Sequence, residues 1–300
     1  MNSIIAAFMS LITAILSLFY VPSELKSVNP AVIPEPSITQ DVTVMTYNVY
    51  VAGTGERSPE NRTARVVENI RRYMPDSFGL EEADEGWVER IAEAMPEYAY
   101  VGKGRDYNGG GEASPVFYKK DKYELVDSGT FWLSRTPDRP SHGWDAMMNR
   151  VCSYAVLKDV ETGFVYAHFN AHFDHIGQIA RLESVAVVAD KISKISQNYP
   201  TVFTGDLNSD EGSEMYQKVL ECGMSDTKYL AETADNCGTY HGYSESTEKT
   251  RTKPIDFIFV NALVSKVESY TVDRTLIDGI YASDHHPVIV KMTLFNGGNV

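Results

Sequence analysis

Carboxylates, amides and imidazoles recur in this chain at the ends of short apolar runs. Thr201-Val202-Phe203-Thr204 leads into Gly205-Asp206-Leu207-Asn208, Asp256 opens Phe257-Ile258-Phe259-Val260, and Ser283-Asp284-His285-His286 precedes Pro287-Val288-Ile289-Val290. Upstream, Val42-Thr43-Val44-Met45-Thr46-Tyr47 ends in Asn48, and Ser77-Phe78-Gly79-Leu80 ends in Glu81-Glu82. A further run, Tyr166-Ala167-His168-Phe169-Asn170-Ala171, ends in His172. This mixture suits metal-assisted attack on a phosphate ester. That reaction requires a cation to neutralise the non-bridging oxygens, a group to prepare water, and donors for the developing charge. Mg²⁺ takes hard oxygen ligands, commonly one or two carboxylates with several waters retained. Glu82 and Asp284, with Asn48 nearby, suffice for it. Taken singly, an Asp or Asn at a strand end is more often a turn former or a helix cap. Asn208, ahead of Ser209-Asp210, is placed to cap a helix that begins near Gly212.

Groups this far apart in sequence need rigid elements to bring them together, and the loops after strands converge in α/β proteins. Apolar and β-branched runs predict strands at about 42–48, 77–81, 114–118, 123–133, 151–158, 163–169, 201–205, 255–260 and 287–293. Helical spacing of Val66, Val67 and Ile70 predicts a helix over 61–74, and Ile179, Leu182, Val185, Ala189 and Ile192 predict another over 178–196. His168 alternates with apolar neighbours and reads as structural. Arg150 and Arg181 are each placed either to contact phosphate or to form ion pairs. The Gly-rich stretch 102–111 lacks the Gly-Lys-Ser/Thr ending of a phosphate loop and reads as a rim.

The ordered set Thr46-Tyr47-Asn48, Glu81-Glu82, Asn170-Ala171-His172, Gly205-Asp206-Leu207-Asn208, Ile255-Asp256 and Ser283-Asp284-His285 resembles the endonuclease/exonuclease/phosphatase superfamily, over about residues 41–294. Any one of these motifs occurs by chance; the complete set in this order is specific. The resemblance implies an α/β fold, a four-layer α/β/β/α sandwich of two packed mixed sheets with helices outside. It implies Glu82 as the main metal ligand, with Asn48 and Asp284 close to the metal and its waters. Asp206 would orient or deprotonate the attacking water, and Asn208 would hold a phosphate oxygen. His285 would contact the scissile phosphate, its imidazole held by Asp256, and His172 would be a second donor. Asn170, Arg150 and Arg181 are the candidate substrate contacts. The Asp256–His285 pairing also stands on physical grounds, since a buried carboxylate fixes the tautomer and favours imidazolium. Either Asp206 or His285 can be the base on this reading.

The departures from the family pattern are few. Glu81 stands where Gln is usual, adding negative charge beside the metal, and reads as a solvated or neighbouring charge. Ala171 replaces a common Thr, and His286 stands where an aromatic is frequent. The resemblance implies a Mg²⁺-dependent phosphoesterase, with Mn²⁺ as the alternative cation. Its substrate is expected to be a phosphodiester, nucleic acid before lipid. A lipid phosphodiesterase, a sugar- or inositol-phosphate phosphatase, and a catalytically silent binding module of the same fold are the alternatives. No protein partner is implied.

Composition bounds these readings. The 300 residues, 43% of them hydrophobic, can bury one α/β core, expected over residues 41–300. A net charge of −14 is unusual for a non-specific nucleic-acid binder, though it leaves room for binding through a metal and a local basic strip. Cys152, Cys222 and Cys237 have no zinc spacing and form no disulfide framework. Residues 3–21 are uncharged and largely apolar, close to the ~20 residues of a membrane-spanning helix. Residues 1–21 therefore read as a signal or membrane-anchor segment, and 22–40, with Pro22, Pro30, Pro34 and Pro36, as a semi-extended linker. The expectation is an exported domain, membrane-anchored or secreted.

Overall fold

Burial on both faces of the central strands organises this molecule into two packed sheets. The computed structural model describes residues 20–243 and 252–297. The strands are β1 (Pro36–Asn48), β2 (Ser77–Glu81), β3 (Tyr98–Val101), β4 (Val116–Lys119), β5 (Tyr123–Trp132), β6 (Val151–Asp159), β7 (Val165–His172), β8 (Thr201–Asp206), β9 (Ser225–Asp226), β10 (Ala231–Ala234), β11 (Asp256–Val260), β12 (Val264–Val272) and β13 (Val288–Gly297). They form a seven-stranded sheet in the order β10-β12-β13-β1-β2-β4-β3 and a six-stranded sheet in the order β5-β6-β7-β8-β11-β9. Both are mixed: β1 runs parallel to β2 and β7 parallel to β8, while β1 pairs antiparallel with β13 and β8 with β11.

Alternation sends neighbouring side chains to different cores. Val42, Val44, Val202, Ile258, Val288 and Val290 meet between the sheets. Met45, Tyr47 and Ile289 turn outward against Val66 and Ile70 of helix α1 (Pro59–Tyr73) and Trp87 and Ile91 of α2 (Glu85–Ala94). Phe203, Phe257 and Phe259 turn outward on the other side, against Val185, Ala189 and Ile192 of α3 (Gln178–Ile195) and Met215 and Val219 of α4 (Glu214–Glu221). The result is helix, sheet, sheet, helix. Strands buried on both faces read as unbroken apolar runs, which is why β1, β8, β11 and β13 were visible in sequence.

Several elements differ from expectation. Helix α1 starts at Pro59, which supplies the preset φ of a first turn. Helix α4 is capped by Ser213, whose hydroxyl accepts from the Tyr216 N–H at 3.2 Å, not by Asn208. Strands β3, β9, β10 and β12 went unforeseen because they are short or carry exposed polar residues on one face.

The segment expected as a linker is held against the domain, and β1 begins at Pro36 rather than beyond 40, where a proline is tolerated as the first strand residue. Val28 is fully buried in the outer core, and its N–H donates to the Cys222 carbonyl at 2.9 Å. The hydroxyls of Tyr20 and Ser23 donate to the buried Glu183 carboxylate of α3, which Lys218 also approaches at 3.2 Å. Asn29 donates to the Gly223 carbonyl at 3.0 Å and accepts from the Ala262 N–H at 2.8 Å. Residues 1–19, most of the apolar N-terminal segment, lie outside the described residues. Among the described residues no helix is long and apolar enough to cross a membrane.

His168 shows how the sheets are joined. Its Nδ1 meets the Ser77 hydroxyl of β2 at 2.8 Å, and its Nε2 meets the Thr204 hydroxyl of β8 at 2.8 Å. Burial pushes the imidazole down to about 3. The fold therefore favours the neutral form, while an unfolded chain takes up a proton near pH ~6.5. Stability from this group is complete above that pH and is lost as pH falls towards about 3. His168→Gln, which cannot ionise, is expected to lose less stability than the parent between pH 7 and pH 4.5. Urea unfolding at the two pH values measures this; parallel losses would contradict it.

Candidate active site

Register brings the chemistry-bearing residues to one edge of the sandwich. Asn48 pairs with Glu81 across β1 and β2, His172 pairs with Asp206 across β7 and β8, and Asp206 pairs with Asp256 across β8 and β11. Asp284 and His285 arrive just before β13, which returns antiparallel beside β1. Tyr50, Glu82, Arg150, His172, Asp206, Asn208, Tyr240, Asp284 and His285 all line one cavity of about 400 Å³.

At its centre His285 is held between two carboxylates. Its Nδ1 lies 2.9 Å from Asp256 Oδ2, and its Nε2 lies 3.7 Å from Asp206 Oδ2. Burial alone would lower its pKa; the charges of Asp256, Asp206 and Asp284 outweigh that and push it up to about 10. His285 is thus an imidazolium at neutral pH. Asp206, completely enclosed, is pushed up to about 7 by burial and by the Asp256 charge, against opposition from His285. It accepts from the Asn208 N–H and from Asn48 Nδ2, each at 2.9 Å.

Glu82 and Asp284 are the carboxylates placed for a cation. Glu82, at φ 55°, accepts from the Val51 N–H at 3.0 Å and from Asn48 Nδ2 at 3.1 Å. Burial, with a contribution from Glu82, pushes Asp284 up to about 6. Two carboxylates with hard oxygens facing one cavity fit a divalent cation. Asp206, Asp256 and His285 also lie close enough together to hold an ion. There, however, the protonated imidazole supplies the positive charge itself and has no lone pair to give.

Three side chains are arranged differently from the expectation. The Asn48 oxygen accepts from the Tyr50 N–H at 2.9 Å, and its nitrogen bridges Glu82 and Asp206. Asn208 donates both amide hydrogens internally, to the Phe173 carbonyl at 3.1 Å and to His172 Nε2 at 2.8 Å. His172 Nε2 is therefore an acceptor, and burial and Arg150 hold the ring neutral. The donor left to it is Nδ1, which is buried and has no partner among the described residues.

The substrate candidates divide. Arg150 lines the cavity, buried, with Nε 3.4 Å from Asp174 Oδ2 and Nη2 3.0 Å from His175 Nδ1. Asn170 does not reach the cavity. It is fully buried between the sheets, donating to the Leu80 carbonyl at 2.9 Å and accepting from the Thr204 hydroxyl at 2.8 Å. A Cβ at position 79 would fall 2.3 Å from its amide, which is why Gly79 faces it. Arg181 is not among the cavity residues; it donates to the Asp174 carbonyl at 2.8 Å.

Glu81 is no solvated charge. It is fully buried and accepts from the Thr46 hydroxyl at 2.8 Å. Burial, then the Asp256 and Asp206 charges, hold its carboxyl well above the usual range. A neutral carboxylic acid has the shape and charge of the Gln usual at this position. The departure is therefore conservative.

Arg62 escaped the sequence reading. It is fully buried and donates to the carbonyls of Arg57 at 2.7 Å, Val49 at 2.6 Å, Ala282 at 3.0 Å and Ala52 at 3.1 Å, and to that of Tyr50. Its guanidinium also lies over the Trp87 ring, 5.0 Å from the centroid. The available signal was its spacing: Arg62, Val66 and Ile70 fall on one stripe of α1.

A family model for the endonuclease/exonuclease/phosphatase family matches residues 45–285. A solved protein of that family from Bacteroides thetaiotaomicron is 32% identical, with TM-score 0.78 over 86% of this chain and 99% of that one. A mannosyl-6-phosphatase from the same organism is 33% identical, with TM-score 0.76 over 84% of this chain and 99% of that one. Nocturnin from Xenopus laevis is 22% identical over 228 residues, 70% of this chain and 56% of the relative, so the chain spans about half the length of this curated protein. With the family model covering most of its length and its fold shared over nearly the whole of these solved chains, this protein belongs to the endonuclease/exonuclease/phosphatase family.

Proposed function

We propose that this chain hydrolyses a small phosphorylated compound with the help of a divalent cation, Mg²⁺ first and Mn²⁺ second. The observation that carries the reading is the line Asp256–His285–Asp206 beside the acid pair Glu82 and Asp284. Asp206 is placed to orient the attacking water and accept its proton. His285, kept charged by Asp256, presents Nε2 to a phosphoryl oxygen as charge accumulates there. Arg150 offers a second cationic contact from the cavity wall. Asn48 ties Glu82 to Asp206 and so sets the distance between cation and water. A bound divalent ion, held by Glu82 and Asp284, would neutralise the phosphoryl oxygens and the leaving group.

Nucleic acid was the first expectation for the substrate, and the geometry moves the weight elsewhere. The cavity is about 400 Å³, its Arg150 is tied to Asp174 and His175, and the chain carries a net −14. Those features suit a compact ester better than a polyanionic duplex. The 33% identity to a mannosyl-6-phosphatase supports the same direction. Full-length protein offered mannose 6-phosphate, p-nitrophenyl phosphate and a single-stranded oligonucleotide, with Mg²⁺, Mn²⁺ or chelator, tests the reading. Metal-dependent release of phosphate from a small ester is expected, with at least about 100-fold loss on chelation. Oligonucleotide cleavage alone would return the nuclease reading. Folded protein that turns over none of them would favour a binding module.

A further inference from the structure

A second and larger cavity, about 940 Å³, lies beside the first. The two share a wall. The N–H groups of His241 and Gly242 both donate to the Asp284 carbonyl, and the His286 N–H donates to the Thr239 carbonyl at 2.7 Å, so two short segments form a ribbon. Alternation along that ribbon separates its side chains. Tyr240 and His285, which pair across it, line the reaction cavity, whereas His241 and His286 line the larger one. At one end of the wall Tyr50, from the reaction cavity, meets Tyr243, from the larger cavity, edge to face at 5.9 Å.

The larger cavity has aromatic walls and a cationic rim. His241 stacks on His286 and lies tilted against Tyr281, with centroids 4.4 Å apart in each case. Arg57 lies over the Tyr243 ring, 4.5 Å from its centroid, and Arg274 lines the cavity nearby. Both arginines are exposed, and neither has an ion-pair partner among the described residues. Glu56 also lines the cavity but makes no ion pair with either of them. Two exposed arginines without an ion pair among the described residues stand out in a chain of net charge −14. Flat faces edged with N–H and O–H groups take a ring bearing hydroxyls, and a guanidinium takes a phosphate.

From the shared wall, the ring-lined cavity and its two exposed arginines, we infer that this is the subsite for the non-reacting half of the substrate, a sugar ring carrying a second phosphate group. The inference rests on the small-ester reading above and adds the class of ester. The reacting phosphate sits against His285, and the remote phosphate is held by Arg57 and Arg274.

Calorimetry on full-length Asp206→Asn protein with Mg²⁺, which binds without rapid turnover, tests it. Glucose 1,6-bisphosphate is expected to bind at least about 10-fold more tightly than glucose 6-phosphate. Arg57→Ala and Arg274→Gln, introduced separately into that protein, should each reduce the preference several-fold, and together abolish it. Arg274 is exposed and holds no ion pair among the described residues, so its exchange leaves the fold intact. Equal affinities, no detectable binding of the bisphosphate, or a preference that survives both substitutions would overturn the inference. Wild-type turnover of p-nitrophenyl phosphate is measured alongside. Turnover without any preference sinks the subsite and spares the phosphoesterase; preference without turnover does the reverse.

Discussion

Replacing Asp206 with Asn is expected to lower the turnover number by about 10³-fold or more while the protein stays folded. The substitution keeps the side chain's shape and an oxygen for the Asn208 N–H, which now donates to Oδ1 at 2.9 Å. It removes the charge that prepares water and that faces His285 Nε2 at 3.7 Å. It also removes a carboxylate whose ionisation is already resisted, since burial and Asp256 push its pKa up to about 7. That relief offsets the lost acceptor for Asn48 Nδ2, so the protein is expected to stay folded with only a modest change in melting temperature. Steady-state rates at saturating Mg²⁺, paired with a melting curve, separate the possibilities. A rate within about tenfold of the parent would remove Asp206 from the chemistry. A sharp fall in melting temperature would make its contribution structural.

Arg62→Leu should cost about 3–5 kcal/mol of stability, the range for breaking a buried charged network. The guanidinium satisfies five backbone carbonyls, those of Val49, Tyr50, Ala52, Arg57 and Ala282. Each buried carbonyl left unpaired costs about 1–3 kcal/mol before relaxation. Leucine fills some of the space against Trp87 but supplies no donor. Activity should fall as well. The carbonyls belong to the turn that delivers the Val51 N–H to Glu82 and to the residue just before Ser283-Asp284. Urea unfolding of the variant gives the number. A loss below about 1 kcal/mol would mean the turn finds other donors.

How much of this was legible in the sequence follows from parity along strands. β1, β8, β11 and β13 bury both faces, so their apolar runs and the polar residues at their ends were plain. Which of those polar residues face the cavity was less so. Asn170 lies two positions before the end of β7, on the side that points between the sheets, about 7 Å short of the edge at strand rise. One position differs by a face, and two by a depth, and neither shows in composition. Glu81 and Glu82 make the same point. They are adjacent, yet one is a neutral acid between the sheets and the other turns into the cavity at positive φ. Arg62 failed for another reason. A basic residue on an amphipathic helix normally marks the solvent side, and its carbonyl partners come from segments up to 220 residues away.

The docked stretch Tyr20 to Asn29 changes how the chain transmits position. A free spacer would let a domain swivel and wander on its leash; here the first described residue is already bonded to α3. Asn29 is pinned in turn to the segments around Gly223 and Ala262. The same contacts that bury Val28 thus make this stretch part of the outer face of the six-stranded sheet, and a change in α3 or around Cys222 is felt directly at Tyr20 to Asn29.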